Sequence, residues 1–414
     1  MVQLEDDGYG SSTSSDTIVL ALHSDMSTST LRPGDHDIGP GRLVLQPENC
    51  EMHTVLRNVD VHATRGLHVT APIPEGTRIS AEKPLLGVTK ADYNYIGIYE
   101  AFEKLSAVDQ DSFLRLKMVR YPEFKPQEKN IDNMILEYER NYSLANTDGE
   151  RQKLASLEES LRIAIRMWRV NSRFQGNMND LTTNSEPNSC TALPDDVPIC
   201  GVFRTASVLS QSCVPNVCVA WNKGTKRLTV HATRAIYPGE ELTASHISSN
   251  FYCKFAERAK ALRERGILRC TCPACNINHV SFIHHEFHRT NIGVEVRNII
   301  PLITRLQTPT SPQPSLAELA AAEVTVLKVI DSLVKAGCRD MELVWWRKYL
   351  AEELLLRLGK WTAAVAQARL AVKGTERCIG LDNPDIEPFR RIQKRAEEIL
   401  RSYKADAKEF CSFT

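Results

Sequence analysis

Three cysteines lie close enough together to act as one chemical unit. Cys270, Cys272 and Cys275 form a C-x-C-x-x-C cluster. Packing does not call for three small thiols within six residues, whereas thiolate coordination of a metal does. A structural zinc takes four such ligands in a tetrahedron, so the cluster is one thiolate short and the fourth must come from elsewhere in the chain. Cys50, Cys190, Cys200, Cys218, Cys253, Cys338, Cys378 and Cys411 are scattered and read as small buried hydrophobes. With 12 cysteines in 414 residues the chain is too thiol-poor for a disulfide scaffold. Just after the cluster come His279, His284, His285 and His288. They show no ligand spacing and read as packing or solvated side chains.

The segments that must position this cluster change character along the chain. Residues 1–46 are rich in Ser, Thr, Gly and Pro and poor in large apolar residues, which predicts a disordered tail. From residue 59, short β-branched runs broken by Gly and Pro predict strands over 59–63, 66–70 and 78–81, with a turn at 72–77. A helical insertion is expected over about 91–200, where Phe102, Leu105, Phe113 and Leu116 form a loose stripe. Leu154, Leu157, Leu161, Ile165 and Trp168 form a cleaner one, and a polar loop follows at 176–198. Strand signals return at 217–221, 228–232 and 241–245, with Asn222-Lys223-Gly224 as a hairpin turn. Residues 277–315, ending in a Pro/Thr/Ser stretch, read as a linker region. Residues 316–414 read as an all-helical module in which Leu350, Leu354 and Leu358 share one face and Trp361, Val365, Ala368 and Val372 another.

Composition narrows the function classes. The chain is 42% hydrophobic and 25% charged, the balance of a globular protein, and its 51 basic residues match 51 acidic ones. Zero net charge and no basic stripe argue against direct nucleic-acid binding. No apolar run is long enough for a membrane span. The stretch from Ile18 to Leu22 is too short for a signal-peptide core and follows Glu5, Asp6 and Asp7 where basic residues would be needed. The expectation is an intracellular protein, nuclear or cytoplasmic.

Three stretches, taken in order, resemble the SET-domain protein methyltransferases: Gly201 to Asn216 with its Ser210-Gln211-Ser212-Cys213, then Ala232 to Thr243 with its Pro238-Gly239-Glu240-Glu241-Leu242, then the cysteine cluster. Upstream, Arg65-Gly66-Leu67, Ile73-Pro74-Glu75-Gly76-Thr77 and Glu82-Lys83-Pro84-Leu85-Leu86 look like the opening strands of that domain. The likeness covers about residues 55–276 and is closest to the split-SET type. Residues 51–189 hold no cysteine, so the zinc-finger insertion common in that type is absent.

The resemblance implies an α+β fold: a β-rich SET core of small sheets with a helical insertion, assigned to residues 47–276, a post-SET zinc loop at 270–275, and a C-terminal helical, TPR-like module. It implies S-adenosylmethionine-dependent methylation of a protein lysine, histone or non-histone, with zinc in a structural role and the C-terminal helices as a possible partner surface. A catalytically degenerate scaffold that binds a protein partner is the alternative. Carried over residue by residue, Arg65, Gly66, Leu67, Asn171, Ser210 and Gln211 fall at cofactor-binding positions, and Cys213 becomes the fourth thiolate beside Cys270, Cys272 and Cys275. The family's Asn-His pair is replaced by Ser210-Gln211, and its catalytic tyrosine by His246, with Tyr252 as a second candidate phenol. The aromatic residue that usually precedes the cluster is replaced by Ile267 and Leu268.

Overall fold

The computed structural model describes residues 59–62, 66–89, 95–116, 149, 172–174, 200–247, 251–264, 267, 269–308 and 310–412. The expected tail, the stripe at 154–168, the loop at 176–198, Arg65 and Asn171 lie outside them.

Among the described residues four small sheets make up the β-rich part. Strands β1 (Val59–His62) and β2 (Gly66–Val69) form an antiparallel hairpin. Strand β3 (Arg78–Glu82) leads to β4 (Leu86–Val88), and two helices follow, α1 (Tyr95–Glu103) and α2 (Ala107–Leu114). Ser106 caps α2 by accepting from the Asp109 amide, and Phe102 meets Phe113 with ring centroids 5.3 Å apart. The expected insertion is thus helical in part, and it also holds strand β5 (Ser172–Phe174), which pairs with β6 (Cys200–Val202); β6 in turn pairs with β4.

A short helix α3 (Arg204–Val208) leads into β7 (Ser210–Gln211), then β8 (Val217–Asn222), β9 (Arg227–Ala232) and β10 (Thr243–Ala244). Glu82, wholly buried, takes the Thr205 and Ala206 amides on its two carboxylate oxygens at 2.9 Å each and so fixes the start of α3. Desolvation pushes its carboxyl up to about 7. Strands β3, β9 and β8 form one antiparallel sheet. The β8–β9 turn is longer than its Asn222-Lys223-Gly224 signature suggests. Register holds to Asn222 opposite Arg227, and the left-handed position is Lys226, at φ 53°, with Asn222 Oδ1 receiving the Thr225 amide.

Period-2 alternation splits β8 between two cores. Val217, Val219 and Trp221 face the inside of the β-rich part, with Leu67, Ile79, Val230 and Phe203 among their neighbours. Cys218 and Ala220 face the other way, onto Met341, Val344, Ile379 and Phe389 of the C-terminal helices.

Those helices are α4 (Phe255–Glu264), α5 (Phe282–Gln307), α6 (Leu316–Lys335), α7 (Met341–Tyr349), a π-helical turn (Leu350–Leu355), α8 (Trp361–Ile379), a 3-10 turn (Pro384–Ile386) and α9 (Glu387–Ser412). The linker reading of 277–315 is corrected here, because 26 of those residues form α5, packed along α6. The stripe of buried Ile292 and Ile299 with partly buried Val296, Ile303 and Leu306 follows helical spacing, which the preceding histidine run obscures. Only the short stretch before Ser315 connects elements. Ser315 then opens α6 with a capping box to Glu318. Gly359, at φ 72°, turns the chain into α8, as the paired stripes at 350–358 and 361–372 lead one to expect. Among the described residues no helix is long and apolar enough to cross a membrane.

Ion pairs rim the seam between sheet and helices: Arg78 with Asp382, Glu75 with Arg377 at 2.9 Å, and Lys223 with Asp385 at 3.0 Å. Behind them Arg78 Nε donates to His231 Nε2 at 3.2 Å. Burial, helped by the Arg78 charge, lowers the His231 imidazole to about 4. A histidine lowered in the folded state stabilises the fold above its ordinary pKa, and that stability is lost as pH falls toward 4. His231→Gln keeps an acceptor for Arg78 but does not titrate. Its unfolding free energy in urea should therefore fall less between pH 6.5 and 4.5 than that of the parent chain. Equal slopes in the two proteins would show that His231 is not a source of the acid sensitivity.

Candidate functional site

Two backbone pairings gather the site. Past its hairpin with β1, β2 pairs on its other side with residues 239–242. The Val69 amide donates to Glu240 O at 2.9 Å, the Leu242 amide donates to Leu67 O at 2.7 Å, and His68 bridges Glu241. Next to it, β7 and β10 run parallel, Ser210 opposite Thr243 and Gln211 opposite Ala244. Asn216, nearly fully buried, extends this ladder with its side chain: Nδ2 donates to Glu241 O at 2.8 Å and Oδ1 accepts from the Thr243 amide at 2.7 Å. Gly66, Leu67, Ser210, Gln211, Glu241 and His246 are thereby brought to one place from three separate stretches of chain.

Gly66 sits close against the side chains of that group. A Cβ on it would overlap Glu241 Oε1 and stand 2.8 Å from Ser210 Oγ, and the Ser210 hydroxyl itself donates to that Glu241 oxygen. Ser210, Gln211, Glu241 and His246 are all partly exposed, so these polar groups reach the surface side by side. Gln211 reaches in two directions. Its Oε1 accepts from the His246 amide at 2.6 Å, and its Nε2 lies 3.7 Å from Cys213 Sγ. The His246 ring turns back on the site's own backbone, Nε2 lying 3.3 Å from Leu209 O.

Directly behind Gln211 the sulfurs of Cys213, Cys270, Cys272 and Cys275 all lie within 4.8 Å of one another, the Cys213 and Cys275 sulfurs 3.5 Å apart. Tetrahedral zinc with Zn–S bonds of about 2.3 Å separates its sulfurs by about 3.8 Å, so the donor set fits that ion. Among the described residues no other group of His, Cys, Asp or Glu converges in this way. The thiols polarise one another. Hydrogen bonds, Cys213 foremost, hold Cys272 far below the usual thiol range. Its bonds to Cys270 and the other sulfurs, with burial, push Cys213 far above it. The histidines after the cluster pack instead: His285 and His288 are buried on α5, and His284 Nε2 lies 3.1 Å from Lys335 O.

Tyr252 joins a different neighbourhood. Its hydroxyl accepts the Trp346 indole N–H at 2.8 Å and its ring packs on the helical core, so it pins the helices to the segment after the site. Ile267, at the position of the missing aromatic, packs against the cysteine cluster. Sequence reasoning missed Glu241 and Asn216 as site-building residues, although both lie inside the stretches quoted above. It also missed Arg258 and Arg289, two fully buried guanidiniums beside the sulfurs, which no local pattern marks.

Two comparisons with known proteins bear on this geometry. Residues 64–247 match the family model of the SET domain. The histone-lysine N-methyltransferase set5 of Schizosaccharomyces pombe is 34% identical over 91 residues, a match covering 22% of this chain and 28% of the relative. The matched segment therefore spans just over a quarter of that protein's length.

The contact at Gly66 gives a test that needs no ligand. Gly66→Ala should cost up to about 1 kcal/mol of stability, less than overpacking in a rigid core, because the Glu241 carboxylate it displaces is the end of a partly exposed side chain. In a Glu241→Ala background most of that cost should vanish, since the overlapped carboxylate is gone. Denaturant unfolding of the two single variants and the double variant decides it, and additive costs would mean that Glu241 does not face Gly66 as described.

Proposed function

We propose that this chain, whose residues 64–247 are a SET domain, is an S-adenosylmethionine-dependent protein-lysine methyltransferase with a structural zinc held by Cys213, Cys270, Cys272 and Cys275. The observation that carries the reading is the convergence of Gly66, Ser210, Gln211, Glu241 and His246 in one partly exposed group backed by four thiols. The named activity of the fission-yeast relative supports a lysine substrate. Free thiols in the interior suit a reducing, intracellular compartment.

The cofactor supplies a methyl group on a positively charged sulfonium. Gly66 and Leu67 would hold it by their backbone, because the missing side chain at Gly66 lets a ligand approach the main chain closely. Ser210 and Gln211 supply hydroxyl and amide groups, and the Glu241 carboxylate adds negative charge that attracts a cation. A substrate lysine must be neutral to act as nucleophile. His246 is the imidazole at the site, the side-chain type suited to general-base work, and would accept its proton. With Nε2–H donated to Leu209 O, Nδ1 is the basic nitrogen of that ring. Zinc would act as a cross-link, tying the segment after β7 to the 270–275 loop, so that Gln211 and through it the His246 backbone are held in place.

A second reading, a non-catalytic SET scaffold that binds a protein partner, rests on His246 standing in the position of the family's tyrosine and on Tyr252 being engaged by Trp346. Calorimetric titration of the zinc-loaded full chain with S-adenosylmethionine and S-adenosylhomocysteine, followed by radiolabelled methyl transfer to proteins of a cell extract, separates the two. Binding, with transfer lost in His246→Ala, is the expected result. Failure to bind either compound would favour the scaffold.

The metal is tested separately by elemental analysis. Cys272→Ser should release zinc. Cys338→Ser should not, because Cys338 is buried among the helices and donates to Asp340 Oδ1 at 3.1 Å. Equal zinc content in the two variants would refute the four-cysteine assignment.

A further inference from the structure

Arg258, on α4, and Arg289, on α5, are fully buried, and they are the two largest fully buried side chains among the described residues. Both point at the sulfur cluster. Arg258 donates to Ala274 O at 2.6 Å and lies 3.9 Å from Cys275 Sγ, while Arg289 donates to Cys213 O at 2.6 Å and lies over the Phe251 ring at 5.1 Å. Each leaves its Nε without a hydrogen-bond partner. A buried guanidinium cannot shed its proton, so it needs an anion near by. Arg258 has a partly exposed one in Glu286, at 3.4 Å. Among the described residues Arg289 forms no ion pair with a carboxylate, and its Nη2 instead holds the backbone of Cys213, one of the four clustered cysteines. The two cations also repel each other, which makes their shared burial costly unless something between them is negative.

A dication bound by four thiolates carries two net negative charges. We propose that Arg258 and Arg289 are the counter-charges of the metal site, neutralising the four-thiolate zinc and joining helices α4 and α5 to it. This rests on the four-thiolate reading above. It makes the arginines positioning residues for the metal, and it makes metal occupancy a condition for burying them.

Release of zinc from the loaded full chain to a chromogenic chelator tests the idea. Arg289→Met, which keeps the bulk but not the charge, should hold zinc about 10-fold less tightly, in the range seen when groups just outside a metal's ligand shell are lost. Arg289→Lys should lie closer to the parent. Glu286→Gln moves in the opposite direction. It keeps the acceptor that Phe255 N uses, at 2.8 Å, and removes the carboxylate competing for Arg258, so zinc should be held more tightly. This variant lies at a partly exposed site and does not depend on the folding of the arginine variants. A merely structural role for the arginines predicts no gain from it. Zinc retention in Glu286→Gln equal to or below the parent's would overturn the proposal, as would equal losses in Arg289→Met and Arg289→Lys. A parent chain that binds no zinc at all would instead remove the four-thiolate reading itself.

Discussion

The meeting of four sulfurs behind Gln211 is the constraint on which the site depends. Cys213 and Cys272 are 59 residues apart in sequence, and joining them closes a loop that contains β8, β9, β10 and α4. Because Cys213 follows Gln211 by two residues, whatever fixes its sulfur also fixes the strand at the site. Arg289 holds the Cys213 carbonyl from α5, and Gln211 passes the restraint to the His246 amide. The cysteine cluster, the polar groups around Gly66 and the helical module are thus linked through a few backbone groups, and a disturbance of one is felt by the others.

The second organising feature is β8. Most strands at the rim of a small sheet keep one face for water, but here Cys218 and Ala220 are as buried as their inward neighbours. Full burial of a side chain such as Ile379 or Phe389 is worth about 1.5–3 kcal/mol. The seam is therefore a true core and not a loose contact between modules. Its ion pairs lie at the edge, partly exposed, where they set orientation more than strength.

Much of the fold was legible in the sequence because its signals are local. The β-branched runs at 217–221 and 228–232 are strands, and the leucine stripe at 350–358 lies on a helical face. The thiol spacing at 270–275 and the ordered motifs from Gly201 to Thr243 pointed to the SET domain that residues 64–247 match. What escaped is non-local. Helix α5 was masked by a run of histidines whose polar character hid the stripe at Ile292 and Ile299. Tyr252 could be weighed as a phenol but not placed, because its partner Trp346 lies 94 residues away. Glu241, Arg258 and Arg289 look like ordinary surface charges in sequence and acquire meaning only from what the chain folds against them.

The pairing of β2 with residues 239–242 has a consequence for how the chain is made. His68 and Gly239, in contact here, are 171 residues apart. At ribosomal speeds of roughly 5–20 residues per second, that interval lasts on the order of ten to thirty seconds. Throughout it β2 can satisfy one edge through its hairpin with β1, while the other edge waits with unpaired amides and carbonyls, the condition in which strands recruit wrong partners. The waiting edge is the one that later gathers Gly66 and Leu67 beside Glu241. For a nascent chain, the strand around which these polar groups assemble is also a long-standing liability.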